Sequence, residues 1–177
     1  KNTLKPIIEK NNKLIFIVID CLRYDQWKKI STLFTQDILV EEDCHLSILP
    51  TATPFARNSI FSGLLPEDLK NEENDLWKKM FLQQEYNKHE HSLFERLLKK
   101  NDLGHKKFSY IKILDYNNGK KLYNKINDYK SADILGIVVN FVDMLGHTRS
   151  ESKIIKELIP NEAAFRHSIF NWFQNSW

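Results

Sequence analysis

The sequence is poor in several features that would place it in a well-defined class of protein. It has only two cysteines, Cys21 and Cys44, which are too few for a disulfide framework or a zinc finger. Lysine and arginine total 26 against 23 aspartates and glutamates, a balance that gives no bulk electrostatic argument for nucleic-acid binding. No apolar stretch is long enough to span a membrane, and no signal peptide is recognisable. We therefore expect a protein of the reducing cytoplasm with no membrane partner.

A glycine-rich loop is also missing after the first apolar run, where residues 21–25 are Cys-Leu-Arg-Tyr-Asp. Doubly wound nucleotide-binding domains place glycines at this turn so that the backbone can approach a phosphate. Their absence disfavours a plain nucleotide-binding domain, which is the weakest of the three hypotheses considered. No internal repeat or low-complexity tract is found either.

What the sequence does contain is two unbroken apolar runs, at residues 14–20 and 134–141. Runs that are apolar on both faces are typical of parallel strands covered on both sides. We predict that the first run is a central strand. Residues 108–114 alternate and predict another strand, and short strands are predicted at 37–40 and 44–49. The fold class is α/β, with a mostly parallel sheet flanked by helices.

Helices are predicted from apolar spacing between these strands. The segment 66–107 is charged and mainly helical, which indicates a helical insertion or lid. Residues 1–12 are polar and predict a linker or a short leading helix. Further helices are expected at 24–34, 54–62, 115–128, 150–159 and 161–177.

Acidic side chains follow the two apolar runs, at Asp20 and Asp143. Neighbouring parallel strands end at one edge of a sheet, where α/β proteins bind ligands. Asp143 and His147 are four residues apart, so a helix would place both on one face, where they could chelate an ion, zinc before manganese. Helix capping by either aspartate, with a solvent-facing His147, remains the alternative.

Thr53 lies between two prolines, Pro50 and Pro54, at a predicted strand-to-helix turn. We predict that it is the N-cap of a helix that ends at Gly63. A helix N-terminus favours a phosphate oxyanion, and a bound cation would make the hydroxyl a competent nucleophile. Simple capping is the alternative role for Thr53.

Three segments together resemble a known family: VIDCLRYDQW, LPTATPFARNSIFSGLLP and NFVDMLGHTRSE. They are similar to the PglZ domain of the alkaline phosphatase superfamily, and most similar to that of PorX-type response regulators, which are linked to type IX secretion in Bacteroidetes. The resemblance covers residues 13–177. It implies an alkaline-phosphatase-like fold and a two-zinc phosphohydrolase that acts on phosphodiesters such as oligonucleotides.

The resemblance also implies roles for individual residues. The first-strand aspartate of the family falls on Asp20, and its Asp-x-x-x-His metal ligands fall on Asp143 and His147. The nucleophile falls on Thr53, because the ten-residue step to Gly63 matches the superfamily spacing, and Thr53 would also contact metal. Thr51 is the reserve choice. As a weaker inference, Arg57 and Asn58, one helical turn beyond, would contact substrate.

One departure from the family pattern is the lack of an Asp-His dipeptide, which the superfamily uses to complete its metal sites. The chain begins at Lys1 without a methionine and stops at Trp177 inside a helical pattern. We therefore expect an incomplete domain, the N-terminal part of a longer protein, with the remaining ligands beyond Trp177.

Two functional hypotheses follow. The first is a metal-dependent phosphodiesterase or phosphatase that serves as the effector of a two-component response regulator. The second is a regulatory module that forms a homodimer and binds a signalling partner protein, with a secondary or incomplete hydrolase site.

Zinc titration tests the ligand count. Asp20 with Thr53, and Asp143 with His147, supply two ligands per ion, whereas zinc normally takes three or four from a protein. We expect calorimetry to detect only weak zinc binding to this chain. Tight, stoichiometric binding would contradict the assignment of ligands.

Overall fold

The computed structural model describes residues 4–176 except for Asn12 and residues 35–37. It has an α/β fold with three parallel strands flanked by helices, as the sequence predicts. The strands are β1 (Leu14–Ile19), β2 (Phe108–Ile113) and β3 (Ile134–Val139). Within the described residues, the helices are α1 (Leu4–Lys10), α2 (Tyr24–Ile30), α3 (Thr53–Ser62), α4 (Pro66–Glu72), α5 (Asn74–Leu82), α6 (Glu90–Lys100), α7 (Tyr116–Asn124), α8 (Phe141–Glu151), α9 (Lys153–Leu158) and α10 (Glu162–Ser176), with 3-10 turns at Ser31–Leu33 and Ile126–Tyr129.

The strand order is β1-β3-β2, so β3 is the central strand of the described sheet. The prediction that β1 is central and covered on both faces is therefore wrong for this sheet. Ile15 and Ile17 remain 58% and 41% exposed on β1, whereas every residue of β3 is buried. An apolar run identifies a strand, but it does not say which neighbours the strand acquires.

The candidate strands at 37–40 and 44–49 are also wrong where they are described. Residue 37 lies outside the described residues, and residues 38–40 and 44–49 form no strand. Leu39 and Leu46 are 88% and 98% exposed, so these two apolar side chains bury little surface against the rest of the protein. Short apolar clusters of this kind do not specify a strand unless a partner strand is available.

The chain divides into two compact units. Unit 1 comprises Lys1–Phe16, Cys44–Tyr110 and Tyr129–Gly136. Unit 2 comprises Ile17–Asp43, Ile111–Asp128 and Ile137–Trp177.

Unit 1 is built around an aromatic cluster. The fully buried rings of Phe61 and Phe94 meet edge to face, with centroids 5.8 Å apart. Phe16 stacks on Phe94 at 5.6 Å, and Tyr110 meets Phe61 edge to face at 5.8 Å. These rings bury a large apolar area, which joins α3 and α6 to the sheet.

Unit 2 contains the helices that follow β1 and β3. Helix α10 buries Phe165, Ile169 and Phe173, which are spaced four residues apart and therefore share one helix face. Helix α10 packs against α2 and α7, and α8 packs against α9. Within the described residues, no helix has the length and apolar character that crossing a bilayer would require.

Gly63 ends α3 in the left-handed conformation, with φ of 66°, as predicted. A Cβ there would lie 2.9 Å from Leu97 Cδ1. Gly63→Ala should therefore destabilise the protein by about 1–2 kcal/mol, because both the backbone and the contact disfavour a side chain. Urea unfolding measures the change.

The matched control is Gly119→Ala in α7, where the added Cβ would meet Ile113 Cγ2 at an ordinary 3.9 Å. Alanine in a helix interior should raise stability by up to about 1 kcal/mol. If both variants changed the free energy of unfolding in the same direction, the role given to Gly63 would be contradicted.

Candidate active site at the carboxyl edge of the sheet

Two aspartates lie at the carboxyl edge of the sheet, both in unit 2. Asp20 directly follows β1, is 7% exposed, and its backbone N–H donates to Val139 O at 3.0 Å. Asp143 lies in the first turn of α8, which begins just after β3. The pairing of β1 with β3 therefore places both acids at the edge where α/β proteins carry their ligand sites.

Asp143 has two polar neighbours. His147 is one turn further along α8, and its Nε2 lies 3.5 Å from Asp143 Oδ1. The Cys21 thiol donates a hydrogen bond to the same Oδ1 at 3.0 Å. The His147 side chain is 70% exposed and that of Asp143 is 20% exposed, so the pair is open to solvent.

Cys21 has an unusual backbone conformation, with φ of 59° immediately after β1. A residue with a side chain is uncommon in the left-handed region and costs on the order of 1 kcal/mol there. Such strain is concentrated at functional sites. At Cys21 it accompanies a turn that brings the thiol to Asp143. The sequence shows that Cys21 follows a strand, but no local pattern in it predicts that the thiol reaches Asp143.

The side chains at this site are of the types that bind metal ions, but there are too few of them to complete a metal site. A carboxylate and an imidazole on one helix face are ligands that zinc accepts. Within the described part of the chain, however, no group of three or more His, Cys, Asp or Glu side chains is arranged to hold a metal ion. The pair Asp143/His147 therefore forms half of a zinc site at most.

An open cleft of about 310 Å³ adjoins this pair within unit 2. Its apolar wall includes Val142, Gly146 and Phe165. A Cβ at Gly146 would lie 3.9 Å from Phe165 Cζ, an ordinary van der Waals distance. The cleft is lined by Cys21, Arg23, Gln26, Val142, Asp143, Gly146, His147 and Phe165.

Arg23, on the rim of the cleft, is paired with two carboxylates. Its Nε donates to Asp25 Oδ1 at 3.0 Å and its Nη1 to Glu162 Oε2 at 2.6 Å. The hydrogen bond from Arg23, with a further one from Arg166, lowers the pKa of Asp25 to about 2. Arg149 Nη1 also donates to Glu162, at 2.6 Å. The pairs are exposed, so their main effect is to fix the orientation of Arg23.

Thr53 belongs to unit 1, whereas Asp20, Asp143 and His147 belong to unit 2. That these four side chains meet at one site stays a prediction. The prediction that Thr53 caps α3 is wrong. Ala52 is the N-cap, since its carbonyl oxygen accepts from the N–H groups of both Phe55 and Ala56 at 2.9 Å. Thr53 is the first helical residue, so its hydroxyl is not committed to the cap.

Arg57 and Asn58 are buried, at 2% and 0% exposure. Arg57 Nε donates to Glu90 Oε1 at 2.6 Å, and the Tyr110 hydroxyl donates to Glu90 Oε2 at 2.5 Å. Burial and the negative charge of Glu90 raise the pKa of Tyr110 far above its usual range. Asn58 Nδ2 donates to two backbone oxygens, at Pro54 and Tyr86.

Glu90 belongs to a polar stretch at residues 87–91. The structure begins α6 at Glu90 and buries its side chain to 1% exposure. A carboxylate tolerates such burial only with a charged partner, and Arg57 lies 33 residues earlier. No local pattern in the sequence pairs the two.

Most of the chain matches the model of a known protein family. The model for the PglZ family, described as the BREX system PglZ alkaline phosphatase-like domain, matches residues 1–171. No curated protein matches the chain.

The buried ion pair predicts a large difference between two glutamates of α6. Glu90→Gln should lower the free energy of unfolding by about 3 kcal/mol, because it removes the negative charge that pairs with the buried Arg57 guanidinium. Glu95→Gln, which breaks the exposed 3.0 Å pair with Lys99, should cost at most about 0.5 kcal/mol. Urea unfolding compares them, and equal losses would refute the role given to Glu90.

Proposed function

This chain belongs to the PglZ family of alkaline phosphatase-like domains, and on that premise we propose that it hydrolyses phosphoric esters, phosphodiesters in particular. The observation that carries the proposal is the pair Asp143/His147 on one face of α8. This pair lies at the carboxyl edge of a parallel sheet, with Asp20 at the end of the neighbouring strand. An acidic and imidazole donor set at that edge suits a cation-assisted reaction at phosphorus.

In the proposed reaction, Thr53 is the nucleophile. Its Oγ1 forms a bond to phosphorus as the bond to the departing alcohol breaks, and the alcohol leaves with a proton. Water then cleaves the bond between phosphorus and Thr53 Oγ1, which restores the threonine hydroxyl and releases a phosphate monoester when the substrate is a diester. Thr53 is supported in this role by its place at the start of α3, since a helix N-terminus attracts a phosphoryl oxygen.

Two zinc ions are the proposed cofactors; Asp20 and Thr53 would hold one, and Asp143 and His147 would hold the other. When bound, zinc would acidify a hydroxyl and neutralise charge on the phosphoryl group. The protein side chains orient the reacting groups: Cys21 donates to Asp143, and α8 holds His147 on the same face.

Arg57 and Asn58 stay in the proposal as substrate contacts, on the strength of their position one turn beyond Thr53. Their described hydrogen bonds are internal to unit 1, and these favour a second role, which is to hold α3 against α6.

The cellular role is a further part of the proposal. We propose a cytoplasmic effector of a two-component response regulator, homodimeric, acting on oligonucleotides and binding a signalling partner. Three motifs similar to PorX-type regulators support it. A receiver domain encoded upstream of Lys1 would support the regulatory role, and its absence from the gene would remove that role while leaving hydrolysis untouched.

Hydrolysis of a nitrophenyl phosphodiester by the full-length protein, with excess zinc, tests the nucleophile. Thr53→Val should lower kcat at least about 10³-fold, because it removes the attacking atom and keeps the shape of the side chain. Thr51→Val is the matched control, since Thr51 is the exposed alternative two residues away and should keep near-wild-type activity.

Equal rates for wild type and Thr53→Val would exclude Thr53, and loss of activity in Thr51→Val alone would transfer the role to Thr51. A wild-type protein that cleaves no phosphoric ester would reject the proposed function itself.

A further inference from the structure

Gln26 lines the cleft beside Asp143 and His147 and is only 1% exposed. Its Oε1 accepts a hydrogen bond from the Arg23 backbone N–H at 3.0 Å, at the start of α2. Its Nε2 is buried and donates to no acceptor among the described residues. Native proteins rarely bury a donor without an acceptor, so such a group calls for an explanation. Because Gln26 belongs to the wall of a cleft, a ligand acceptor would explain it.

The remaining walls define what kind of ligand would fit. Val142 and Phe165 are buried apolar side chains that line the cleft, and Gly146 lines it without a side chain. The volume of about 310 Å³ is at the lower end for small-molecule sites, which are mostly apolar with a few placed polar groups. The cleft therefore suits a compact, largely apolar group.

The charges around the cleft disfavour an anionic group there. Arg23 lines the cleft, but its guanidinium already contacts the carboxylates of Asp25 and Glu162. Asp143 adds a further carboxylate to the lining. An uncharged oxygen acceptor can take the Gln26 donor without being repelled by these acids.

We propose that this cleft binds the organic group of the substrate, an apolar group whose uncharged oxygen accepts a hydrogen bond from Gln26 Nε2. As a statement about the substrate, this inference rests on the phosphoric ester hydrolysis proposed above. It places the organic group beside Asp143 and His147, and it makes Gln26 a determinant of which ester is accepted.

Two neutral probes of similar shape test the cleft without zinc and without an ester. Acetophenone carries the carbonyl acceptor, and isopropylbenzene lacks it. We expect acetophenone to bind at least about tenfold more tightly, since isopropylbenzene leaves the buried donor unpaired. In ¹H–¹⁵N NMR spectra, acetophenone should move the Gln26 side-chain amide signals downfield together with the backbone signals of Val142 and Gly146.

Gln26→Glu is the diagnostic variant, because it keeps the oxygen that accepts from the Arg23 N–H and removes the donor. It should reduce the preference for acetophenone to near unity. Gln174→Glu, at an exposed position on α10, makes the same change of charge outside the cleft and should leave the preference intact. Should Gln26→Glu fail to fold, the side-chain amide signals of the wild-type protein decide the question alone.

Equal affinity for the two probes, unmoved Gln26 signals, or no binding of either probe at millimolar concentration would overturn the inference. These outcomes are separate from those of the ester assay. A protein that discriminates the probes but cleaves no ester would reject only the proposed hydrolysis. A protein that cleaves esters but does not discriminate the probes would reject only the role of Gln26.

Discussion

The parallel pairing of β1 with β3 is the constraint on which the rest of the site depends. Its register is set by backbone hydrogen bonds from Leu14 N–H to Asp133 O and from Asp20 N–H to Val139 O. The second bond fixes where β1 ends relative to the start of α8. A slip of one residue would turn the side chains of β1 to the opposite face and move Asp20 away from the edge.

Two buried polar side chains, Glu90 and Gln26, differ in how their hydrogen-bonding groups are satisfied. In unit 1 the carboxylate of Glu90 is satisfied by Arg57 and Tyr110, and this network ties α3 and α6 to β2. In unit 2 the amide of Gln26 keeps one donor without a described acceptor, beside an open cleft. A satisfied network specifies structure, whereas an unsatisfied donor at a cleft suggests a binding function.

The elements that were predictable are those with a clear local pattern. Strands β1 and β3 follow from apolar runs, β2 follows from apolar alternation, and the end of α3 follows from Gly63, because glycine alone enters the left-handed conformation without strain. The candidate strands at 37–40 and 44–49 were not safe predictions, because three or four apolar residues in an acidic segment specify a strand only where a partner is in reach. The choice of Thr53 as N-cap missed by one residue, a usual error at helix ends.

By itself the sequence determined the fold class, the family and the spacing of Asp143 and His147, since apolar periodicity and an i,i+4 step are properties of the local chain. Tertiary structure alone decided that β3 is central, that Glu90 is buried against Arg57, and that Cys21 reaches Asp143 across 122 positions of the chain. Each of these features depends on which residues, distant in the sequence, are packed together in the interior or lie on neighbouring strands. That information lies in the packing of the whole chain and in no single window of it.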